Sequence, residues 1–265
     1  MLTTGHIEDF SEKGFFIIEN AFSNADILQI RERIEDIVKG NHFKAGRRFQ
    51  ADTDTGTYGD VNMKEMNYLG PNISYRKIAE LEYDDLILSK LQQDWVSEVC
   101  AQFVGNGVSI MRTTMMDKPA HAGTPLPWHQ DLSIDWPVSS APLLTMWFPL
   151  DEATQESGSL QVIPGSHKNG VIGRGHMLEV ARENEFAPDD KILNVEMMPG
   201  DCLFFHPGVL HRSGINNTSF PRRAINIILM SGNTIHTIKK RPYPILFGSD
   251  QLKPDYVACL DKIPD

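Results

Sequence analysis

The stretch DCLFFHPGVLHRSGINNTSFPRRAINI, residues 201–227, holds two apolar runs separated by turn residues. The first is Cys202 to Phe205; the second is opened by Arg222 and Arg223 and continues to Met230. Short runs of this kind bounded by Gly, Pro and Asn read as strands. Two histidines, His206 and His211, lie between them. An arginine that opens a buried strand needs a partner, because an unpaired guanidinium in a core is costly. A bound dicarboxylate supplies one through two parallel charge-assisted hydrogen bonds. Side-chain alternation lets only one of Arg222 and Arg223 face inward.

Working outward, the same β-like texture fills the middle of the chain. Runs stand at Val108 to Met116, Leu126 to Ile134, Leu143 to Leu150, Ser159 to Ile163 and Ile192 to Met197. PGSH at 164–167, PGD at 199–201 and HPG at 206–208 punctuate them. Before residue 105 the texture is different. After a short apolar run at Phe15 to Ile18, SNADILQIRERIEDIVKG repeats Ile27, Ile30, Ile34, Ile37 and Val38 near helical spacing, with Ser23 or Asn24 able to cap it and Gly40 to close it. Leu88, Leu91, Trp95, Val99 and Phe103 predict a second helix over Asp85 to Phe103. Residues 41–72 are polar and aperiodic, a candidate lid. Helices first and many short strands afterwards predict a mainly β fold with flanking helices. Helices of residues 1–105 pack on an antiparallel double-sheet core at 106–235, all within one domain spanning 1–265.

The bulk composition narrows the partners. The 25 basic and 35 acidic groups give a formal net charge of −10, which weighs against nucleic acid and anionic membrane surfaces. A small-molecule partner is expected. Three cysteines at unrelated spacings suggest neither a disulfide framework nor a zinc site, and fit a reducing cytoplasm. No segment reads as a signal peptide or membrane span.

His129 and Asp131 stand two apart in the run at Leu126 to Ile134, so a strand puts both on one face about 6 to 7 Å apart. The pair alone is weak evidence: it also reads as a strand histidine beside an acid, and His6 with Glu8, in a mobile N-terminal arm, is read as accidental. A third ligand changes its meaning. Two neutral imidazoles and a carboxylate leave three octahedral positions open, the arrangement of non-haem Fe(II) oxygenases. His206 and His211 compete for that third place.

Four motifs in order carry a resemblance. They are WHQD at 128–131, TMWFPLD at 145–151, ESGSLQVIPGSHK at 156–168, and FFHPGVLHRSGIN at 204–216 followed by RRA at 222–224. With the N-terminal GFFIIENAF, the chain resembles the phytanoyl-CoA dioxygenase family of Fe(II)- and 2-oxoglutarate-dependent oxygenases. The resemblance implies a double-stranded β-helix, a cupin-like jelly roll. It puts the iron ligands on His129, Asp131 and His211. The arginine gripping the distal carboxylate of 2-oxoglutarate falls eleven residues after the last ligand, on Arg222, with Arg223 the adjacent alternative. Gln130, Trp147 and Ser213 are placed near the cosubstrate. His206 is then a packed strand histidine, and His42, His121, His176 and His236 are surface or satisfied histidines. In halogenating relatives a small residue replaces the carboxylate ligand. Asp131 is present here, so the implied reaction with O2 is hydroxylation of an unactivated C–H bond, with release of succinate and CO2.

Substrate contacts are sought in the lid at 44–66, with Arg47, Arg48, Tyr58 and Asn62, and at Asp135, Trp136 and Arg112. Asp135 shares the parity of His129 and Asp131, which would place it at the pocket mouth to meet an amine; a turn cap before Pro137 is the alternative. Mixed acids and bases favour a small polar substrate, such as an amino acid, aminophosphonate or natural-product intermediate, over a long acyl-CoA. The competing class is a metal- or ligand-binding β-helix protein without turnover, and a zinc hydrolase ranks last.

Overall fold

The computed structural model describes residues 2–42, 46–173 and 175–260, so residues 43–45 of the lid candidate lie outside the described residues. The first part of the chain runs α1 (Thr4–Glu12), β1 (Phe15–Ile18), α2 (Asn24–Val38), β2 (Arg48–Ala51), β3 (Tyr75–Ala79), α3 (Asp85–Leu91) and α4 (Asp94–Phe103). Then follow β4 (Val108–Lys118), β5 (Leu126–His129), β6 (Leu144–Pro149), β7 (Leu160–Val162), α5 (Glu183–Phe186), β8 (Leu193–Val195), β9 (Cys202–Phe205), β10 (His211–Ser213) and β11 (Arg222–Ser231). The last elements are β12 (Ile235–His236), β13 (Arg241–Pro242), β14 (Ile245–Phe247) and α6 (Pro254–Leu260).

One sheet of eight strands runs β1-β9-β6-β11-β4-β3-β2, with β14 also on β4, and a second of four runs β5-β10-β7-β8. Every pairing within them is antiparallel, as a jelly roll requires. Register and alternation sort the large sheet's residues into two faces. Lys77 pairs with Gln50 and Met116, Ala79 with Arg48 and Thr114, and Asn226 with Thr114 and Trp147. Arg222 opposite Lys118 and Ile228 opposite Arg112 and Thr145 share that face. Their alternates, Phe49, Ile78, Met115, Ile225, Ile227, Met146, Phe148 and Phe204, join an apolar cluster with the helices.

The helices cover that outer face because their stripes match it. Ile27, Ile30, Ile34 and Ile37 of α2 are all 3% exposed or less, and full burial of each contributes about 1.5–3 kcal/mol. Ser23 opens α2 with a capping box to Asp26, and Gly40 follows its end at φ 87°. The inner face splits. Phe15, Trp147, Leu203, Phe205 and Ala224 meet Leu160, Val162 and Val195 of the small sheet in a second apolar cluster. Eight strands cannot be covered edge to edge by four, and the inner residues of β2, β3 and β4 line a cavity instead.

Four expectations are corrected. The helix over Asp85 to Phe103 is two, broken at Gln92, whose amide donates to the carbonyls of Leu246 (3.0 Å) and Leu252 (2.7 Å) and ties the break to the C-terminal segment. The strand from Leu126 stops at His129, because the next two N–H groups leave the ladder: Gln130 donates to His176 O (2.9 Å) and Asp131 to Pro207 O (2.8 Å). The aperiodic segment 41–72 contributes β2 to the large sheet. His6 belongs to a helix, and its Nδ1 accepts from Thr3 N at 3.3 Å in a capping box.

Candidate active site

β5 and β10 are adjacent in the small sheet, with His211 directly opposite His129. Their rings lie 4.0 Å apart, centroid to centroid, and one ligand atom each from His129, Asp131 and His211 falls within 4.8 Å of the others. All three residues are buried. The two histidines are held alike: His129 Nδ1 lies 2.9 Å from Pro127 O and His211 Nδ1 lies 2.9 Å from Val209 O. Each Nδ1–H therefore donates to the carbonyl two residues back, which leaves Nε2 with its lone pair facing the partner groups. Burial, then His211 and His176, push His129 well below the usual histidine range and keep the ring neutral. Thr145 Oγ1 donates to Asp131 Oδ2 at 3.2 Å and fixes the carboxylate.

His206 stands apart from this group. It follows β9 with its ring 6.0 Å from Phe10 of α1, and its Nδ1 accepts from Gly208 N at 2.9 Å.

The adjacent arginines also separate. Arg222 is 2% exposed and lines the cavity, with Nη2 donating to Gly158 O at 2.6 Å and Nε lacking a partner. Burial pulls it down to about 10. Gly158 is demanded by the backbone: φ is +76°, and a Cβ there would stand 2.8 Å from Gly214 O. Arg223 turns outward and forks onto Asp151 at 2.8 and 3.0 Å.

Trp147 and Ser213 line the cavity. Gln130 does not: its amide donates to Gly170 O (2.9 Å) and Gly208 O (2.7 Å) while its oxygen accepts from Ile172 N (2.9 Å). It ties the segment after β5 to the loops at 170–172 and 206–208.

Of the substrate candidates, Arg48, Arg112 and Tyr58 line the cavity and Asn62, Asp135 and Trp136 do not. Asn62 is exposed and folds onto its own loop, accepting from Lys64 N and Glu65 N. The parity argument for Asp135 fails because β5 has ended; the residue is exposed and its Oδ2 accepts from Gly175 N. Trp136 sits behind His176, ring centroids 5.8 Å apart. Arg47 is buried against Asp84 (3.6 Å).

Among the cavity residues that escape the sequence reading are His176, Lys77 and Arg76. His176 lies on a loop with no periodicity, its ring 5.9 Å from His129. Lys77 and Arg76 belong to β3, whose YRKIA run directly follows the aperiodic segment. The hydrophobic pair Ile78 and Ala79 with Tyr75 is the signal that marks it.

Two imidazoles and a fixed carboxylate, converging in a buried cavity, are the donor set for a divalent iron with open positions. Arg222, buried with Nε free, suits a carboxylate brought into the same cavity.

Comparison with known proteins agrees. The phytanoyl-CoA dioxygenase (PhyH) family model matches residues 10–224. A probable phytanoyl-CoA dioxygenase of Caenorhabditis elegans is 25% identical over 231 residues, covering 82% of this chain and 72% of that one. L-proline trans-4-hydroxylase of Streptomyces griseoviridis is 25% identical over 279 residues, covering 96% and 92%. In fold the chain matches the crystal structure of EctD from S. alaskensis with 2-oxoglutarate and 5-hydroxyectoine, with TM-score 0.67, 18% identity, and 95% and 82% coverage. The chain belongs to the phytanoyl-CoA dioxygenase family of 2-oxoglutarate-dependent non-haem iron dioxygenases.

Proposed function

We propose that His129, Asp131 and His211 hold Fe(II), that Arg222 anchors the distal carboxylate of 2-oxoglutarate, and that the chain hydroxylates a C–H bond of a small polar molecule. The convergence of the three donor atoms within 4.8 Å carries this reading. When bound, iron supplies dioxygen activation coupled to oxidative decarboxylation of 2-oxoglutarate to succinate and CO2. The chain's own groups orient and exclude. The carbonyls of Pro127 and Val209 fix both imidazoles, Thr145 fixes the carboxylate, and Gly158 O aims the Arg222 fork. Trp147 and Phe205 wall the cavity on the side of the histidine pair's sheet. Asp131 fills the place that a halide would need, which supports hydroxylation.

A small polar substrate is supported by a cavity of about 240 Å³ and by its walls. A long acyl chain would desolvate Lys77 and Arg112 without pairing them. The relative that hydroxylates proline is of the same size class. Residues 1–265 work as one dioxygenase unit in this reading, with β2 and β3 contributing cavity wall to the core that follows. Cys100 and Cys202 are buried free thiols, which supports a reducing, cytoplasmic setting. No described helix is long and apolar enough to cross a membrane.

The test is anaerobic titration of the iron-loaded protein with 2-oxoglutarate, followed by admission of air. Wild type develops a metal-to-ligand charge-transfer band and then yields succinate; His211→Ala loses both. Arg222→Gln requires about 10- to 150-fold more 2-oxoglutarate for the same band, the value of one to two charge-assisted hydrogen bonds. Absence of band and succinate in wild type would instead identify a binding protein without turnover.

A further inference from the structure

His206 is not one of the three donors, yet the turn it opens between β9 and β10 presents three successive carbonyls to them or to their neighbour. Pro207 O accepts from the backbone N–H of Asp131 (2.8 Å), Gly208 O from the Gln130 amide (2.7 Å), and Val209 O from His211 Nδ1–H (2.9 Å). Two proposed ligands, and the residue between His129 and Asp131, are thus held by three consecutive residues.

A carbonyl keeps its direction only if its peptide is held, and a trans peptide is planar, with C=O and N–H pointing opposite ways. The Pro207 carbonyl shares its peptide with Gly208 N–H, which donates to His206 Nδ1 at 2.9 Å. One rigid plane is therefore pinned on one side by the His206 ring and on the other by Asp131 N. The next plane repeats the arrangement: Gly208 O takes the Gln130 amide, while Val209 N–H donates to His206 O at 2.8 Å. Pro207 has no N–H to place. Both backbone donors at 208 and 209 end on His206, one on its ring and one on its carbonyl.

The ring is itself fixed. His206 N donates to Gly14 O (2.8 Å), and the imidazole meets Phe10 of α1 (centroids 6.0 Å apart) and His167 (5.3 Å). It covers Gly208 so closely that a Cβ there would stand 3.0 Å from Nδ1. Accepting at Nδ1 requires the neutral ring with its hydrogen on Nε2. Burial, then His167, hold the ring below the usual histidine range and keep it in that form. Packing against Phe10 would suit any apolar side chain. An acceptor set over a buried backbone N–H does more, because that N–H is costly to leave unpaired.

We infer that His206 is a positioning residue for the metal site: its Nδ1 sets the Pro207–Gly208 peptide, and that peptide sets Asp131. This rests on the metal reading and adds to it a residue outside the donor set.

His206→Asn and His206→Leu separate the two roles, since the Asn side-chain oxygen replaces Nδ1 as acceptor and Leu only packs. Affinity for Zn(II), read by competition with a chromophoric chelator, weakens about tenfold or more in His206→Leu and stays within about threefold of wild type in His206→Asn. In the Fe(II)- and 2-oxoglutarate-loaded proteins the charge-transfer band is displaced in His206→Leu and restored in His206→Asn. Amide exchange at Asp131 in the metal-free proteins is faster in His206→Leu and not in His206→Asn, a readout that needs no metal. Gly208→Ala, whose methyl pushes the acceptor aside, weakens Zn(II) binding about threefold or more and carries the test if His206→Leu does not fold. The inference is overturned if His206→Leu folds and binds Zn(II) as wild type does, if His206→Asn is as weak as His206→Leu, or if Gly208→Ala changes nothing. A lower urea midpoint with unchanged metal affinity overturns it equally, leaving His206 as packing. Failure of wild type to bind Zn(II) would sink the metal reading by itself; faster Asp131 exchange in His206→Leu would still uphold the positioning.

Discussion

The two faces of the large sheet are built from alternate residues of the same strands, yet they are held by different physics. On the helix side, Phe49, Ile78, Met115, Ile225, Ile227 and Phe204 meet the apolar stripes of α2, α3 and α4, and every one is 2% exposed or less. On the cavity side, one residue away along each strand, stand Gln50, Lys77, Thr114, Asn226 and Arg222. The side-chain oxygens of Thr114 and Asn226 and the Arg222 Nε have no partner among the described residues. The first face is apolar but for Thr113, whose buried Oγ1 also lacks a partner among the described residues. The second gathers several such groups around one cavity, and it is that clustering, rather than burial alone, that marks it.

The helix side gives the largest effect on stability. Phe204 is fully buried and stacks on Phe16 with centroids 5.3 Å apart, while Trp95 meets its edge at 6.2 Å. Phe204→Ala removes a large side chain from a site with no slack and costs about 3–5 kcal/mol. Asn226→Ala, on the other face, deletes an unsatisfied carbonyl along with its amide and shifts stability by less than about 1 kcal/mol. Urea denaturation of both variants measures the contrast through the midpoint at unchanged slope. Equal losses would mean that the two faces are held in the same way.

Glu82, in the turn between β3 and α3, carries the comparison outside the main cavity. It is 4% exposed, its Oε2 has no partner, and it is not part of the main cavity wall. Burial pushes its carboxyl up to about 7 from 4.5. The folded state then binds more protons than the unfolded one between those two values, so stability falls as pH rises from about 4.5 through 7 and levels off above. Glu82→Gln removes this dependence. Relative to wild type it is more stable at pH 8 than at pH 5 by up to about 3 kcal/mol, the upper bound set by the shift. Thermal melts at the two pH values read the difference. Parallel curves would show that Glu82 stays paired and charged at both.

How much of this was legible in the sequence follows the same division. The α2 stripe and the runs from Val108 onward betray the helix side, because apolar periodicity is a local signal. His129, Asp131, His211 and Arg222 were reached through motif order, and the structure brings the three donors together with Arg222 in the same cavity wall. What escaped depends on distant pairing. Lys77 gains its meaning from β2 and β4 on either side of it, which no short window contains. Asp135 was misplaced because parity was carried past His129, where backbone bonds to His176 and Pro207 take Gln130 and Asp131 out of the ladder. Gln130 was assigned to the cosubstrate by resemblance, but its side-chain amide is held by Gly170 O, Gly208 O and Ile172 N instead.

The smallest effect belongs to the narrowest version of the comparison, two neighbouring arginines. Arg223 forks onto Asp151, reaches Glu35 of α2 at 3.3 Å, and is pushed above the ordinary arginine range chiefly by its Asp151 hydrogen bonds. Its work is structural, tying β11 to the helix side. Arg223→Gln breaks a partly exposed pair and lowers stability by about 1 kcal/mol, with 2-oxoglutarate affinity unmoved. Arg222→Gln is the converse. It removes a buried guanidinium that donates to one carbonyl and has only longer-range attraction to Asp117 and Asp151, with no ion pair among the described residues, so the melting temperature in the absence of cosubstrate stays level or rises. The cosubstrate then stabilises wild type and Arg223→Gln but not Arg222→Gln, because ligand-dependent stability follows affinity. Melts with and without 2-oxoglutarate on the metal-loaded proteins decide it: if Arg223→Gln lost the cosubstrate-induced shift and Arg222→Gln kept it, the anchor would be on the outer face and the division between the two faces would be wrong.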